Sequence, residues 1–99
     1  MQKVRSERMH RSKLEICNEI LWTLASNGPM KLTQLTTKVE LSKTRLEKHM
    51  RLLKRRDLVE RQRLGEGEIF YVATERGLKV LKIMGPIMEE ARKIQVLQF

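Results

Sequence analysis

The sequence predicts a small α+β protein, mostly α, with three helices, a two-stranded hairpin and a long C-terminal helix. Three observations lead to this fold class. Apolar residues recur at helical spacing in three segments before residue 57. The pattern then changes to two short strand-like runs around Gly65-Glu66-Gly67, and helical spacing returns after Thr74. A chain of 99 residues is long enough for one such domain with a modest core.

The first predicted helix begins after Ser12 and ends before Gly28-Pro29. Ser12-Lys13-Leu14-Glu15 is a capping box, in which the Ser12 hydroxyl accepts from the Glu15 amide while the Glu15 side chain reaches back. Gly28 supplies the left-handed residue that commonly follows a helix. The predicted apolar stripe consists of Leu14, Cys17, Leu21 and Leu24, with Ile16 and Ile20 beside them.

Two further short helices follow and are joined by a tight turn. The first fits residues 33–38, with Thr33 as its N-cap. Its inward-facing residues are Leu35 and Val39. Glu40-Leu41 forms the turn, and Ser42 caps a helix that runs to about Arg56. Two short helices joined in this way form a helix-turn-helix.

The third helix has an apolar face and a basic face. At about 100° per residue, the apolar face carries Leu46, Met50 and Leu53, with His49 at its edge. The opposite face carries Thr44, Lys48, Arg51 and Arg55. Arg45 and Leu52 lie on one flank, and Glu47 and Lys54 lie on the other. Residues 43–56 contain seven basic residues and one acidic residue, net +6, so the helix presents a cationic stripe about 16 Å long.

The remaining elements are a hairpin and a last helix. Val59–Leu64 and Glu68–Ala73 are predicted strands, because strand-forming residues fill the second run and a glycine-rich loop separates the two. Thr74 caps a helix from Glu75 to Gln98. Pro86 lacks the amide donor and clashes with a carbonyl one turn back, so a kink or break is expected there. The apolar residues Val80, Met84, Ile87, Ala91 and Ile94 step 4-3-4-3, the seam spacing of a coiled coil.

Composition restricts the function. The chain holds 21 Lys+Arg against 12 Asp+Glu, net +9, a charge that attracts nucleic acid or anionic membranes. No apolar run approaches the ~18 residues of a membrane span, and residues 1–13 lack the apolar stretch of a secretory signal. Cys17 is the single cysteine, which excludes an internal disulfide and a cysteine metal cage. The expected compartment is therefore the cytoplasm.

The sequence contains no catalytic or metal-binding motif. The sequence has no Ser/His/Asp grouping, paired acid couple, phosphate loop or metal-ligand spacing, so it predicts no enzyme, no cofactor, no metal and no small-molecule ligand. His10 and His49 are too far apart in sequence to form a local metal site. His49 is predicted to pack or cap, and Cys17 to lie in the core. Four aromatic residues supply too few rings for a platform that stacks single-stranded bases.

Three segments resemble a known family. Residues 41–53, LSKTRLEKHMRLL, followed by 57–61, DLVER, resemble the second helix-turn-helix segment of small winged-helix repressors of the ArsR and MarR kind. Residues 71–77, YVATERG, resemble the Tyr-x-Leu-Thr-x-x-Gly that closes many archaeal and bacterial wings. Residues 11–16, RSKLEI, are similar to the start of small archaeal winged-helix DNA-binding proteins. Asp57 stands where such repressors usually have glycine, and Asp tolerates the left-handed conformation better than most residues.

The resemblance covers about residues 11–84 and implies a winged helix-turn-helix with a C-terminal dimerisation helix. It divides the chain into a basic arm (1–11), the winged helix-turn-helix domain (12–74) and a dimerisation helix kinked near Pro86 (75–99). The arm, which carries Lys3, Arg5, Arg8 and Arg11, is a solvated tail, follows DNA phosphates or extends the first helix. The dimer interface is predicted at Val80, Met84, Ile87, Met88, Ala91, Ile94 and Leu97.

The predicted function is sequence-specific binding of double-stranded DNA by a homodimeric transcriptional regulator associated with the nucleoid. The recognition helix, about 42–56, enters the major groove, and the hairpin, 59–73, is the wing. Since the first residues of a recognition helix enter deepest, the base edges are assigned to Lys43, Thr44, Arg45 and Lys48, and phosphates to Arg51 and Arg55. Arg61 and Arg63 contact phosphate or the minor groove from the wing. The alternatives are an architectural chromatin protein with little sequence preference and a winged-helix protein-interaction module.

Overall fold

The computed structural model describes residues 11–97, and the side chains of residues 11–94. The elements are α1 (Lys13–Asn27), α2 (Leu32–Val39), α3 (Lys43–Arg55), β1 (Val59–Leu64), β2 (Glu68–Ala73) and α4 (Glu75–Leu97). The predicted α+β class, mostly helical with a two-stranded antiparallel hairpin, is confirmed, and both strands have the predicted bounds. Among residues 11–97, no helix has the length and apolar composition needed to cross a bilayer.

Helix α1 begins and ends at the predicted signals. Ser12 Oγ accepts from the Glu15 amide over 3.0 Å, and the Ser12 amide donates to Glu15 Oε1 over 2.7 Å. The helix ends at Gly28, which has φ of 78°. The predicted apolar stripe is wrong at Leu14, which is 50% exposed. The buried face is instead centred on Ile16 and Ile20, because α2, α3 and α4 pack against that side.

Helix α2 begins earlier than predicted. Its N-cap is Lys31, not Thr33, and its first residue is Leu32. The Lys31 amide donates to Gln34 Oε1 over 2.9 Å. A side chain three residues into the helix therefore satisfies the cap amide, as the second half of a capping box does. Thr33, inside the first turn, does not cap the helix.

The core lies where the three N-terminal helices meet the base of the hairpin. Leu35, Leu46 and Ile20 are fully buried at its centre. The rest of the buried core is Ile16, Leu21, Leu24, Met30, Val39, Leu41, Met50, Leu53 and Val59. Helix α4 adds only its first turns, through Val80 and Leu81. Its second half extends beyond the core and leaves apolar side chains in solvent.

A compact junction holds the hairpin and α4 together. Asp57 adopts the left-handed conformation expected from the sequence, with φ of 61°. Thr74 Oγ donates to the Asp57 carbonyl over 2.7 Å and accepts from the Gly77 amide over 2.9 Å, so it caps α4 as predicted. The Thr74 amide donates to the Leu58 carbonyl over 3.0 Å. One threonine therefore joins the end of α3, the exit of the hairpin and the start of α4.

Helix α4 continues through Pro86 from Glu75 to Leu97, so of the expected kink or break, the break does not occur. A proline removes one amide donor from the ladder and disturbs one carbonyl, that of Lys82. Both Lys82 and Pro86 are exposed, which leaves room for that turn to adjust in solvent.

Candidate nucleic-acid interface

The turn between α2 and α3 sets the direction of α3. Glu40 is left-handed, with φ of 55° and ψ of 54°. Leu41 then enters the core at 7% exposure, and its amide donates to the Thr36 carbonyl over 3.2 Å. Ser42 Oγ accepts from the Arg45 amide over 3.2 Å, so the helix begins at the predicted cap.

Helix α3 has one face in the core and one in solvent. Leu46, Met50 and Leu53 are 0%, 3% and 2% exposed, as the helical wheel predicts. The predicted DNA-contacting residues of this helix, Lys43, Thr44, Arg45, Lys48, Arg51 and Arg55, are all exposed. Within residues 11–97, none of their five charged groups forms an ion pair within 4.0 Å. The solvent face therefore carries positive charge without internal compensation, which favours a polyanion as partner.

Strand β1 brings two further cations beside α3. Val59, Arg61 and Arg63 share one face of the strand, because side chains alternate across a sheet. Val59 is 1% exposed and anchors that face on the core, whereas both arginines are exposed. Arg61 pairs with Tyr71 of β2 in the register of the hairpin. The predicted arginines thus lie on the side of the hairpin that faces α3.

The tip of the hairpin is acidic. Glu66 lies between Gly65 and Gly67, whose φ values are 63° and 103°. Glu68, at the start of β2, binds Lys31 Nζ through Oε2 at 3.2 Å, and Lys31 Nζ also lies 5.7 Å from the centre of the Phe70 ring. The carboxylate of Glu68 is therefore partly neutralised, whereas that of Glu66 would repel a phosphate at the tip.

Sequence reasoning missed the contact that ties the hairpin to the helices. The Met30 amide donates to the Tyr71 carbonyl over 3.0 Å, and the Tyr71 amide donates to the Met30 carbonyl over 2.8 Å. Met30 thus forms an isolated antiparallel bridge with β2. A single bridging residue has no periodicity, so the sequence gives no signal for it.

Lys54 is the second residue that sequence reasoning left out of the interface. The helical wheel places it on a flank of α3, outside the basic face. In the structure it lines a cleft between α3 and the hairpin together with Arg51 and Arg61. No pattern along the chain could reveal this, because Lys54 and Arg61 meet only after the hairpin folds against α3.

A family model described as winged helix-turn-helix matches residues 10–92. The chain belongs to the winged helix-turn-helix family. The predicted resemblance is thus confirmed, and so is the prediction of a non-enzymatic protein, because this is a DNA-binding family. A comparison with curated proteins gave no match.

Several solved structures share the winged helix-turn-helix fold of this chain. A MarR family transcriptional regulator from Silicibacter pomeroyi matches with a TM-score of 0.71 and 22% identity over 92% of this chain and 59% of its own. AbsC, a MarR family regulator from Streptomyces coelicolor, gives 0.63 and 28% over 71% of this chain and 50% of its own. The transcriptional regulator YodB from B. subtilis gives 0.67 and 21% over 90% and 86%. The chain thus spans 59% and 50% of the lengths of the two MarR-family regulators.

The winged helix-turn-helix carries no metal cluster among its described residues, where no three His, Cys, Asp or Glu side chains are placed to hold an ion. His49 Nδ1 lies 2.9 Å from the Arg45 carbonyl within α3, and His10 lies outside the described residues. Cys17 is half-buried against the core, and burial raises the pKa of its thiol, although the nearby Lys13 charge acts in the opposite direction. A partly buried thiol with a raised pKa is a poor nucleophile, which agrees with the predicted packing role of Cys17.

Arg11 is the one residue of the predicted arm that the structure describes. Its guanidinium forms an ion pair with Glu19 of α1 and donates to the Glu40 carbonyl over 3.2 Å. It thereby links the start of α1 to the turn before α3. Lys3, Arg5 and Arg8 lie outside the described residues, so the role of the arm stays a prediction.

The predicted dimer seam divides into two parts. Val80 packs against the core of its own chain, and Met84 is half-buried. Met88 is half-buried in a groove of about 1060 Å³ between α1 and α4, which Trp22 also lines. Ile87 and Ile94 are 55% and 57% exposed, and Ala91 is exposed between them. The side chain of Leu97 lies outside the described set.

Proposed function

We propose that this winged helix-turn-helix protein is a homodimeric transcriptional regulator that binds specific double-stranded DNA. The recognition helix α3 reads the major groove, and the hairpin contacts the adjoining backbone as a wing. These structural relatives are transcriptional regulators, and this proposal extends that role to the present chain. The proposed place of action is the cytoplasm, on chromosomal DNA.

One observation carries the DNA-binding proposal. A single helix has a fully buried apolar face and an exposed face of five cations that form no ion pairs within the described residues. Lys43, Thr44, Arg45 and Lys48 lie in the first half of α3 and are proposed to reach base edges. Arg51 and Arg55 lie further along and are proposed to bind phosphates, which fix the register of the helix on DNA.

The dimer is proposed from the exposed half of α4. Ile83, Ile87 and Ile94 are 67%, 55% and 57% exposed, on the part of α4 that extends beyond the core of its own chain. A two-fold pairing of α4 would bury the same apolar patch on both chains. One DNA-binding module typically buries only ~600–1,000 Å² of protein surface. Two modules can read half-sites about one helical turn, ~34 Å, apart.

Selection of binding sites from random DNA tests the specificity. A regulator enriches one sequence, and a dimer enriches it as a palindrome with a fixed spacing between half-sites. Enrichment of no sequence, with binding to a labelled duplex that excess random competitor DNA abolishes, would instead establish the architectural alternative. Absence of any DNA binding at low salt would leave the protein-interaction module as the function.

Replacing Lys48 with alanine should weaken DNA binding without harming the fold, since the side chain is exposed and opposite the core. The affinity for the selected site is expected to fall, and the slope of log K against log salt should decrease by about 1 if the contact includes a phosphate. Titration of labelled duplex at several salt concentrations measures both. Lys79→Ala removes the same charge from an exposed position on α4 and serves as the control. Equal behaviour of the two variants would exclude α3 as the DNA-reading helix.

A further inference from the structure

The cleft between α3 and the wing is lined by Glu47, Met50, Arg51, Lys54, Arg61 and Tyr71, and we call it the helix–wing cleft. Its volume is about 230 Å³. That is several times the ~30 Å³ share of one water molecule, so a phosphate group has room to enter. Lys54 and Arg61 also line the adjacent cleft along β1, so these two side chains border both spaces.

The charges in this cleft are not balanced from within the protein. Arg51, Lys54 and Arg61 are exposed and make no ion pair within the part of the chain that the structure describes. Glu47 is the only acidic residue that lines the cleft, and it does not bind any of the three. Glu60, the nearest acid of β1, is hydrogen-bonded to Gln62 at 3.0 Å. Three cations therefore line a cleft in which the one carboxylate, that of Glu47, does not balance them, so the cleft attracts an external anion.

The walls suit a phosphodiester better than a hydrated ion. Met50 is 3% exposed and half-buried Tyr71 stands opposite, so part of the wall is apolar. An apolar wall strengthens a charge interaction relative to open water. The arginine guanidinium binds phosphate oxygens through two parallel bonds, while lysine supplies a point charge. The Tyr71 hydroxyl makes no hydrogen bond within the described residues and is a further donor for the same oxygens.

We propose that the helix–wing cleft holds one backbone phosphate of DNA, bound jointly by Arg51, Lys54, Arg61 and the Tyr71 hydroxyl. The inference rests on the proposed DNA-binding function and deepens it. With α3 in the major groove and the wing at the neighbouring minor groove, the DNA backbone that separates the two grooves passes between α3 and the wing. Glu47 repels a phosphate from its end of the cleft and so restricts where the backbone settles. Lys54 is thereby a DNA-contacting residue outside the basic face of α3.

The first test is a set of single substitutions, measured by titration of a labelled duplex. Lys54→Ala should raise Kd about five- to tenfold at low salt and reduce the salt slope by about 1. Lys79→Ala, which removes one exposed charge from α4 outside the cleft, should change Kd less than about twofold. Tyr71→Phe removes only the hydroxyl and should weaken binding several-fold with no change in thermal stability.

A double-mutant cycle separates a shared phosphate from a general positive surface. If Lys54 and Arg61 hold one phosphate, the combined effect of Lys54→Ala and Arg61→Ala on Kd should differ from the product of the two single effects by about threefold or more. Cations on separate phosphates would act independently. Glu47→Gln should tighten binding, because it removes the only carboxylate of the cleft.

The outcomes distinguish this inference from the proposed function. If Lys54→Ala matches Lys79→Ala, or the cycle shows independent effects, while Lys48→Ala still weakens binding, the cleft is not a phosphate site although the protein binds DNA. If the unmodified protein binds no duplex at low salt, the proposed function fails and the phosphate site fails with it. Circular dichroism of each variant confirms that the fold is retained.

Discussion

A single aspartate in place of Ile87 is expected to convert the proposed dimer into a monomer and to remove most affinity for DNA with two half-sites. The change places a charge in the centre of the proposed α4 seam, where pairing would bury it without a partner. The unpaired chain should tolerate it, since Ile87 is 55% exposed and lies outside the core. Linked modules gain about 10²–10⁴-fold in avidity over single ones, so the loss should reach about 100-fold.

Sedimentation and duplex titration measure the two effects on one sample. Weak, salt-sensitive binding to a single half-site should survive, because the helix-turn-helix is untouched. Leu14→Asp is the matched control, since Leu14 is 50% exposed on α1 and stands outside the seam. If Leu14→Asp dissociates the dimer and Ile87→Asp does not, the interface belongs to α1. An unmodified protein that sediments as a monomer at micromolar concentration would refute the dimer itself.

Replacing Gly77 with alanine is expected to lower the free energy of unfolding by about 2–3 kcal/mol, the upper range for overpacking. An added Cβ at Gly77 would lie 2.1 Å from the Leu58 carbonyl oxygen and 3.3 Å from Leu21 Cδ2. That oxygen is backbone and already accepts from the Thr74 amide, so it cannot move alone. The start of α4 must shift away from the hairpin, which also strains the Thr74 junction. The melting temperature should fall by about 10–20 °C for a domain of this size.

Gly85→Ala in the same helix separates this close approach from a general effect of alanine. Apart from its two chain neighbours and the nearby backbone of its own helix, no atom lies within 4 Å of a Cβ added at Gly85. The gain in helix propensity, up to about 1 kcal/mol, is opposed by the contact of a Cβ with the ring of the following proline. Urea denaturation should therefore show a change of at most about 1 kcal/mol for Gly85→Ala. Similar losses for both variants would mean that the Leu58 contact does not limit the packing of α4.

Local signals along the chain were sufficient for the elements and for the exposed basic face of α3. Ser12 and Ser42 mark helix starts that the structure reproduces, because a cap requires only residues within one turn. The two faces of α3 follow from spacing alone, since a helix converts sequence separation directly into angle. The strand bounds were also predictable, because β-branched and aromatic residues and a glycine-rich loop are local features.

Local signals gave wrong predictions where the packing of the helix or a nearby side chain decided the outcome. Leu14 fits the apolar stripe of α1 but is exposed, because the other helices pack against the face that carries Ile16 and Ile20. Thr33 is a good capping residue, yet the helix starts at Leu32, where Gln34 satisfies the Lys31 amide. Pro86 predicts a kink or break, but α4 is continuous through this exposed position.

The sequence by itself determined a winged helix-turn-helix, the basic face of its third helix and a C-terminal helix with more apolar surface than its domain can cover. Only the tertiary structure decided that Met30 bridges Tyr71, that Gly77 must lack a side chain beside Leu58, and that Lys54 meets Arg61 across a cleft. The physical reason is the range of the interactions. Caps and helical faces depend on residues a few positions apart, whereas these contacts join residues from separate elements and exist only after the hairpin has docked on the helices.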